Sequence, residues 1–153
     1  MEIADILSPD SVVDALRVSS KRQVLQDLSE RAAAITGLSA RELFETILGR
    51  ERLGTTGVGH GVAIPHGRID KVDRLYGLFA RLAEPIEFES IDDEPVDLIF
   101  LLLAPESAGA DHLKALAKVS RLLRDKSICE KLRGSDSAEA LYVLLTDSQA
   151  NAA

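Results

Sequence analysis

Apolar residues recur at helical spacing in the first third of the chain. Between residues 24 and 35 they fall on one face of a predicted helix, which a capping box at residues 20–23 begins and Gly37 ends. A second capping box at residues 39–42 precedes the same spacing over residues 43–48. The pattern therefore predicts two consecutive amphipathic helices.

Four segments have the pattern of β-strands. Residues 96–103 form a continuous apolar run, which is typical of a strand buried on both faces of a sheet. Shorter or more mixed runs predict strands at residues 11–18, 61–65 and 75–82. Turn signals flank a short extended piece at residues 86–91.

The last third of the chain is predicted to be helical. Asp111 is the expected N-cap of one helix, so that His112 lies in its first turn. The predicted apolar face of this helix consists of Leu113, Leu116, Val119, Leu122 and Leu123. Two shorter helices are expected at residues 127–132 and 136–145, and the polar tail at residues 147–153 is expected to fray.

Interleaved strands and helices predict an α/β sandwich with a partly parallel sheet. A length of 153 residues and a mass of 16.5 kDa lead us to expect a single domain over residues 1–153. The net charge of −7 argues against a nucleic-acid-binding protein, because phosphate contacts need a basic surface. The sequence also shows no signal peptide and no apolar run that could span a bilayer, so we expect a cytoplasmic protein without membrane insertion.

Five of the ten glycines lie between residues 54 and 67, together with His60 and His66. Such density predicts a shaped loop whose amides can face an anion. It is not a nucleotide-binding loop, because neither the P-loop lysine nor the third glycine of the dinucleotide fingerprint is present. An extended segment would hold the two rings up to ~20 Å apart, too far to share a metal ion. A metal site thus stays open only for His66 and His112 with a third ligand, and His60 is expected at the surface.

His66 follows one predicted strand, and His112 follows the loop after another. Ligand sites of α/β sheets gather at the carboxyl ends of strands, so we expect the two histidines on one rim. A neutral imidazole can attack phosphorus when one ring nitrogen is bare and the other is held by a hydrogen bond. The expected donors to a phosphoryl group are Arg50, His112, the amides near Gly67 and the helix N-terminus at Asp111. Three arginines come close to this region in sequence: Arg50, Arg52 and Arg68.

Two stretches carry a family resemblance. Residues 50–57, Arg-Glu-Arg-Leu-Gly-Thr-Thr-Gly, lead to residues 61–67, Gly-Val-Ala-Ile-Pro-His-Gly. Together they resemble the active-site signature of enzyme IIA domains of the mannitol/fructose type, from the bacterial phosphoenolpyruvate-dependent phosphotransferase system. The resemblance extends over about residues 3–146, and residues 85–88 and 125–129 are most similar to the nitrogen-related (IIA-Ntr) branch.

The resemblance implies that His66 accepts a phosphoryl group on its Nε2 (tele) nitrogen from a histidine-phosphorylated HPr-like or NPr-like carrier. It implies that Arg50 stabilises the phosphoryl charge, that His112 is the second active-site histidine, and that no metal or cofactor takes part. The implied fold is a three-layer sandwich, with a mixed sheet flanked by helices on both faces. The loop residues expected to stabilise the phosphoryl group are Thr56, Gly57 and Gly67.

The two branches of the family imply different functions. A nitrogen-related protein would be a regulator whose phosphorylation state controls which protein partners it binds. A sugar-type component would instead pass phosphate to a IIB protein, and a third alternative is a binding regulator without phosphotransfer. The 153 residues carry no fused carrier or membrane domain, which favours the nitrogen branch. His60 departs from the family, which often has a polar residue such as asparagine there.

Overall fold

The computed structural model describes residues 1–147, and its central strand is the apolar run predicted from the sequence. This strand alternates its side chains between the two faces of the sheet. Leu98, Phe100 and Leu102 enter one buried cluster, whereas Ile99, Leu101 and Leu103 enter the other. Both faces of the strand therefore need a covering layer of helices.

In the described part of the chain, the sheet has six strands of mixed direction. They are β1 (Val12–Leu16), β2 (Gly57–Gly59), β3 (Val62–Ala63), β4 (His66–Ile69), β5 (Tyr76–Ile86) and β6 (Val96–Pro105). The order across the sheet is β1-β5-β6-β3-β2, and β4 also pairs with β6. The pairs β1–β5, β3–β6 and β4–β6 are parallel, while β5–β6 and β2–β3 are antiparallel.

Within residues 1–147, five helices cover the sheet. They are α1 (Lys21–Thr36), α2 (Ala40–Leu53), α3 (Ala110–Arg124), α4 (Lys126–Gly134) and α5 (Ala138–Thr146). Helices α1 and α2 pack on one face of the sheet, and α3, α4 and α5 pack on the other. This arrangement confirms the predicted three-layer α/β sandwich. No helix within residues 1–147 has the length and apolar character needed to cross a bilayer.

The serine caps predicted for the first two helices are confirmed, but the reciprocal half of each capping box is not formed: Oε1 of Gln23 accepts from the Ser19 N–H at 2.7 Å, and Glu42 faces Lys71. The side chains of Ser20 and Ser39 accept hydrogen bonds from the backbone of the third helical residue of α1 and α2. Gly37 ends α1 with φ 77°, a left-handed conformation that favours glycine. Helix α2 continues through Gly49 and carries Arg50 in its last turn.

The glycine-rich stretch is a β-hairpin where a loop was predicted. Strands β2 and β3 pair across a tip formed by His60 (φ 57°) and Gly61 (φ 80°). Positive φ at both central residues matches the right-handed twist of hairpin strands. Asparagine adopts this conformation more readily than most residues, which explains the polar residue expected at position 60.

The strand predicted at residues 61–65 is wrong in its extent. It is reduced to β3 (Val62–Ala63), and a separate strand, β4, begins at His66 after Pro65, which has no N–H to donate. His66 is consequently the first residue of β4 and lies within the sheet, beside Leu102 of β6. Strand β5 also runs further than predicted, to Ile86.

Helix α3 differs from its prediction at the start and on its buried face. Gly109 is the N-cap, with φ 51° and no side-chain cap, and Asp111 lies inside the first turn. Leu113 is 64% exposed, whereas His112 is 4% exposed. The rest of the predicted face is confirmed, because Val119, Leu122 and Leu123 are buried and Leu116 packs against the same core. His112 therefore takes the inward position that was predicted for Leu113. Residues 148–153, which include most of the predicted frayed tail, lie outside the described residues.

Candidate active site

Strand β4 and helix α3 bring two histidines together. The ring centroids of His66 and His112 are 5.7 Å apart, and the ring planes meet at 68°. His112 enters from the first turn of α3, which follows β6 through a short 3-10 helix at Glu106–Ala108. The contact thus depends on the pairing of β4 with β6, which places two sequence-distant segments side by side.

The ring of His66 is held by its own backbone. Its Nδ1 lies 2.9 Å from the carbonyl oxygen of Ile64. A carbonyl only accepts, so Nδ1 carries the proton and Nε2 is left with a free electron pair. Burial lowers the pKa of His66, and the positive charge of Arg50 lowers it further, although the Ile64 hydrogen bond opposes the shift. The ring is therefore neutral near pH 7 and can act as a nucleophile.

In the ring of His112 the proton is on the other nitrogen. Its Nδ1 accepts a hydrogen bond from Nε of Arg68 at 3.2 Å, which leaves the proton on Nε2. This Nε2 is buried, and within residues 1–147 it has no hydrogen-bond partner. Burial lowers the pKa of His112, and the neighbouring His66 and Arg68 add to the shift. A buried donor without a partner is uncommon in native proteins and often marks a functional site.

Arg50 lies half-buried at the C-terminal end of α2. Its Nη1 donates to the carbonyl oxygen of Gly54 at 3.0 Å. Among the described residues, the guanidinium has no ion-pair partner. It is close enough to His66 to lower the pKa of that ring, and its remaining N–H groups can meet an anion there.

A buried carboxylate supports the neighbouring hairpin. Glu51 is 6% exposed, and its two oxygens accept hydrogen bonds from the Thr56 backbone N–H at 2.8 and 3.1 Å. The hydroxyl of Thr56 also donates to Glu51, and Nζ of Lys21 lies 3.3 Å from the carboxylate. Glu51 therefore ties the end of α2, which carries Arg50, to the start of the glycine hairpin.

The three loop residues expected to stabilise a phosphoryl group have other contacts here. The donors of Thr56 are used by Glu51, and the Gly57 N–H donates to Oγ1 of Thr55 at 3.1 Å. Gly67 lies in β4, where a Cβ would come within 3.2 Å of Thr46 on α2. Glycine thus lets α2 approach the strand. The contacts of Thr56 and Gly57 support the hairpin, and their predicted role at the phosphoryl group stays a prediction.

His60 is exposed at the hairpin tip, as expected. Val62, the first residue after the tip, pairs with Leu98 of β6, and His66 pairs with Leu102. Val62 therefore lies on the order of 13 Å along β6 from His66, and the tip lies further away. No group of three metal-ligating side chains occurs within the described part of the chain.

Comparison with known proteins shows the family of the chain. Residues 5–148 match the model of the family described as "Phosphoenolpyruvate-dependent sugar phosphotransferase system, EIIA 2". The chain belongs to this EIIA family. It is 57% identical to a nitrogen regulatory protein of Bradyrhizobium diazoefficiens over 153 residues, the full length of both chains. It is 40% identical to the nitrogen regulatory protein of Klebsiella oxytoca over 152 residues, covering 99% of this chain and 94% of the relative.

The fold is also similar to that of a nitrogen regulatory protein. The crystal structure of nitrogen regulatory protein IIA-Ntr from Neisseria meningitidis superposes with a TM-score of 0.90 at 40% identity, covering 94% of this chain and 99% of the other. The resemblance to EIIA domains of the nitrogen-related branch, inferred from residues 50–67, 85–88 and 125–129, is therefore confirmed.

Two residues of this EIIA site were missed from the sequence. Arg68 was noted only as a nearby cation, although its position two residues after His66 on a strand places both side chains on one face. Glu51 has no role predicted from the sequence. An acidic residue in the last turn of a helix is unfavourable for the helix dipole, which is a signal that it has another partner.

Proposed function

We propose that this EIIA protein is a phosphocarrier that accepts a phosphoryl group on Nε2 of His66. The donor is a histidine-phosphorylated carrier of the HPr or NPr type. The observation that carries this proposal is the hydrogen bond from Nδ1 of His66 to the Ile64 carbonyl, which leaves Nε2 bare on a neutral ring. A nucleophile of this kind needs no general base, because it has no proton to lose from the attacking atom.

The transfer exchanges one N–P bond for another. Nε2 of His66 forms the new bond while the bond between phosphorus and the carrier's histidine breaks, and its electron pair returns to the carrier's ring. The His66 ring gains positive charge in this step. The Ile64 carbonyl, whose oxygen accepts a hydrogen bond from Nδ1–H with a distance of 2.9 Å between nitrogen and oxygen, stabilises that charge.

Three groups are proposed to stabilise the phosphoryl oxygens. Arg50 supplies a guanidinium from α2, and His112 supplies its unpartnered Nε2–H. The first turn of α3 has no side-chain cap, so its amides can add to the positive end of the helix dipole. Stabilising this charge is most of the catalytic work in phosphoryl transfer.

Exposed apolar residues flank this arrangement. Leu53 follows Arg50 by three residues on α2 and is 85% exposed, and Leu113 follows His112 on α3 and is 64% exposed. Both are proposed to contact the incoming carrier, because exposed apolar surface beside a reactive group is typical of a protein docking site.

The test is phosphorylation in a complete relay. The protein is incubated with phosphoenolpyruvate and the two general carriers, and its intact mass is measured. We expect an acid-labile gain of one phosphoryl group that His66→Ala abolishes and that His60→Ala, the matched control, retains. A gain that persists in His66→Ala would show that the site is assigned to the wrong residue.

We further propose a regulatory role, in which phosphorylation of His66 in the cytoplasm changes the set of proteins that the chain binds. The similarity to nitrogen regulatory proteins, which extends over 99–100% of this chain, supports the nitrogen-related branch over the sugar-specific alternative. The discriminating experiment offers the phosphorylated protein to fructose- and mannitol-specific IIB domains. Retention of the phosphoryl group is expected, whereas rapid transfer to either IIB domain would favour the sugar-specific function.

A further inference from the structure

The hydrogen bond between Arg68 and His112 has a chemical consequence for the site. A guanidinium has only donors, so the ring nitrogen that it contacts must be bare. Nε of Arg68 lies 3.2 Å from Nδ1 of His112, and the single proton of the neutral ring is therefore on Nε2. The two adjacent histidines consequently have opposite tautomers: Nε2 is bare in His66 and protonated in His112.

We propose that Arg68 is a positioning residue that fixes His112 as a hydrogen-bond donor to the phosphoryl group on His66. This inference rests on the proposed function. If the proton of His112 moved to Nδ1, its bare Nε2 would present an electron pair to phosphoryl oxygens that can only accept. The same ring would then repel the group that it is placed to stabilise.

The surroundings of Arg68 support the assignment. His66 and Arg68 are two residues apart on β4, so both side chains leave the strand on the side that α3 covers. Within residues 1–147, Arg68 forms no ion pair and its one hydrogen bond is to His112. The guanidinium is therefore not held by a competing carboxylate. The charged or titratable groups that act on His112 are His66 and Arg68.

The buried Nε2–H of His112 supports the same conclusion. Leaving a buried donor without a partner is unfavourable, and the other tautomer would leave an acceptor there. The folded protein retains the donor form because Arg68 holds the opposite nitrogen. The unpartnered N–H is thus available for a ligand with acceptor oxygens.

The direct test is the tautomer itself. Long-range ¹H–¹⁵N correlation spectra of the full-length protein, labelled on histidine nitrogens, distinguish protonated from bare ring nitrogens above the pKa of both rings. We expect Nε2 of His112 to be protonated and Nε2 of His66 to be bare. Arg68→Met removes the donors at similar length and should shift His112 toward the Nδ1–H form, while Arg68→Lys should retain the wild-type signals.

Arg121→Met, which changes an exposed arginine at the far end of α3, is the matched control and should leave both histidines unchanged. A wild-type spectrum with the His112 proton on Nδ1 would overturn the proposal. So would an Arg68→Met spectrum indistinguishable from that of the wild type.

The kinetic test uses the rate of phosphoryl gain by His66. Losing one charge-assisted donor predicts a rate about tenfold lower for Arg68→Met, with most of it recovered in Arg68→Lys. In a His112→Ala background, Arg68→Met should add little further loss, because it acts through His112. An equal additional loss there would mean that Arg68 contacts the phosphoryl group or the carrier directly. If the wild type accepts no phosphoryl group, the proposed function fails, whereas the spectra still decide the role of Arg68.

Discussion

The buried carboxylate of Glu51 offers the sharpest test of how the site is supported. Its side chain is 2% exposed. The carboxylate accepts hydrogen bonds from the backbone N–H and the hydroxyl of Thr56, and it pairs with the ammonium of Lys21. The substitution Glu51→Ala leaves all three donors without this acceptor. We therefore expect a loss of stability and a slower gain of phosphoryl on His66, because the hairpin is no longer tied to α2.

The size of the loss follows from burial. Removing one partner of a buried ion pair costs about 3–5 kcal/mol. Lys21 keeps an exposed ion pair with Glu89 at 3.4 Å and a contact with the Phe88 ring, 4.8 Å from its centroid. These contacts offset part of the loss of stability, so we expect Glu51→Ala to lower the free energy of unfolding by about 3 kcal/mol, the lower end of that range. For a chain of this length, that corresponds to a melting temperature roughly 6–12 °C lower.

The assay is urea denaturation followed by circular dichroism, with Glu45→Ala as the matched control on the same helix. Glu45 pairs with Arg41, and both side chains are mostly exposed, at 63% and 87%. Exposed pairs contribute at most about 1 kcal/mol, so the control should change little. If Glu51→Ala were no more destabilising than Glu45→Ala, the carboxylate could not be the tie between the helix and the hairpin.

Three further changes test other parts of the structure. Gly57→Ala should lower the free energy of unfolding by about 1–3 kcal/mol, because the new Cβ would lie 2.9 Å from Cα of Ser90. A urea midpoint equal to that of the wild type would contradict this tight packing. Gly49→Ala, on an exposed face of α2 with no atom within 4 Å, should instead raise it by about 0.5–1 kcal/mol, and the same denaturation curve checks the sign. Burial lowers the pKa of His66 and His112 in the folded protein. As the pH falls below about 6.5, the unfolded chain therefore binds protons that the folded chain does not. The free energy of unfolding should decrease over this range until the pH passes the pKa values of the folded protein. Urea midpoints between about pH 8 and about pH 5 should show this slope, and it should flatten when both histidines are replaced by glutamine.

Much of the candidate site could be predicted because its residues lie in a contiguous, recognisable signature. Arg50 and His66 are both in that signature, and His112 was placed beside them by the expectation that strand ends share a rim. The partners of these residues could not be predicted in the same way. The hydrogen bond from Arg68 to His112 joins residues 44 positions apart, and no local pattern specifies it.

Local signals were sufficient where the structure is local. The serine caps of α1 and α2, Gly37 at the end of α1 and the apolar run of β6 act within a few residues of themselves, and the sequence alone determined these elements. The protonation of the two rings was decided only by the tertiary structure. A tautomer depends on what each nitrogen faces, and the Ile64 carbonyl and the Arg68 guanidinium reach those nitrogens only once β4 has paired with β6 under α3.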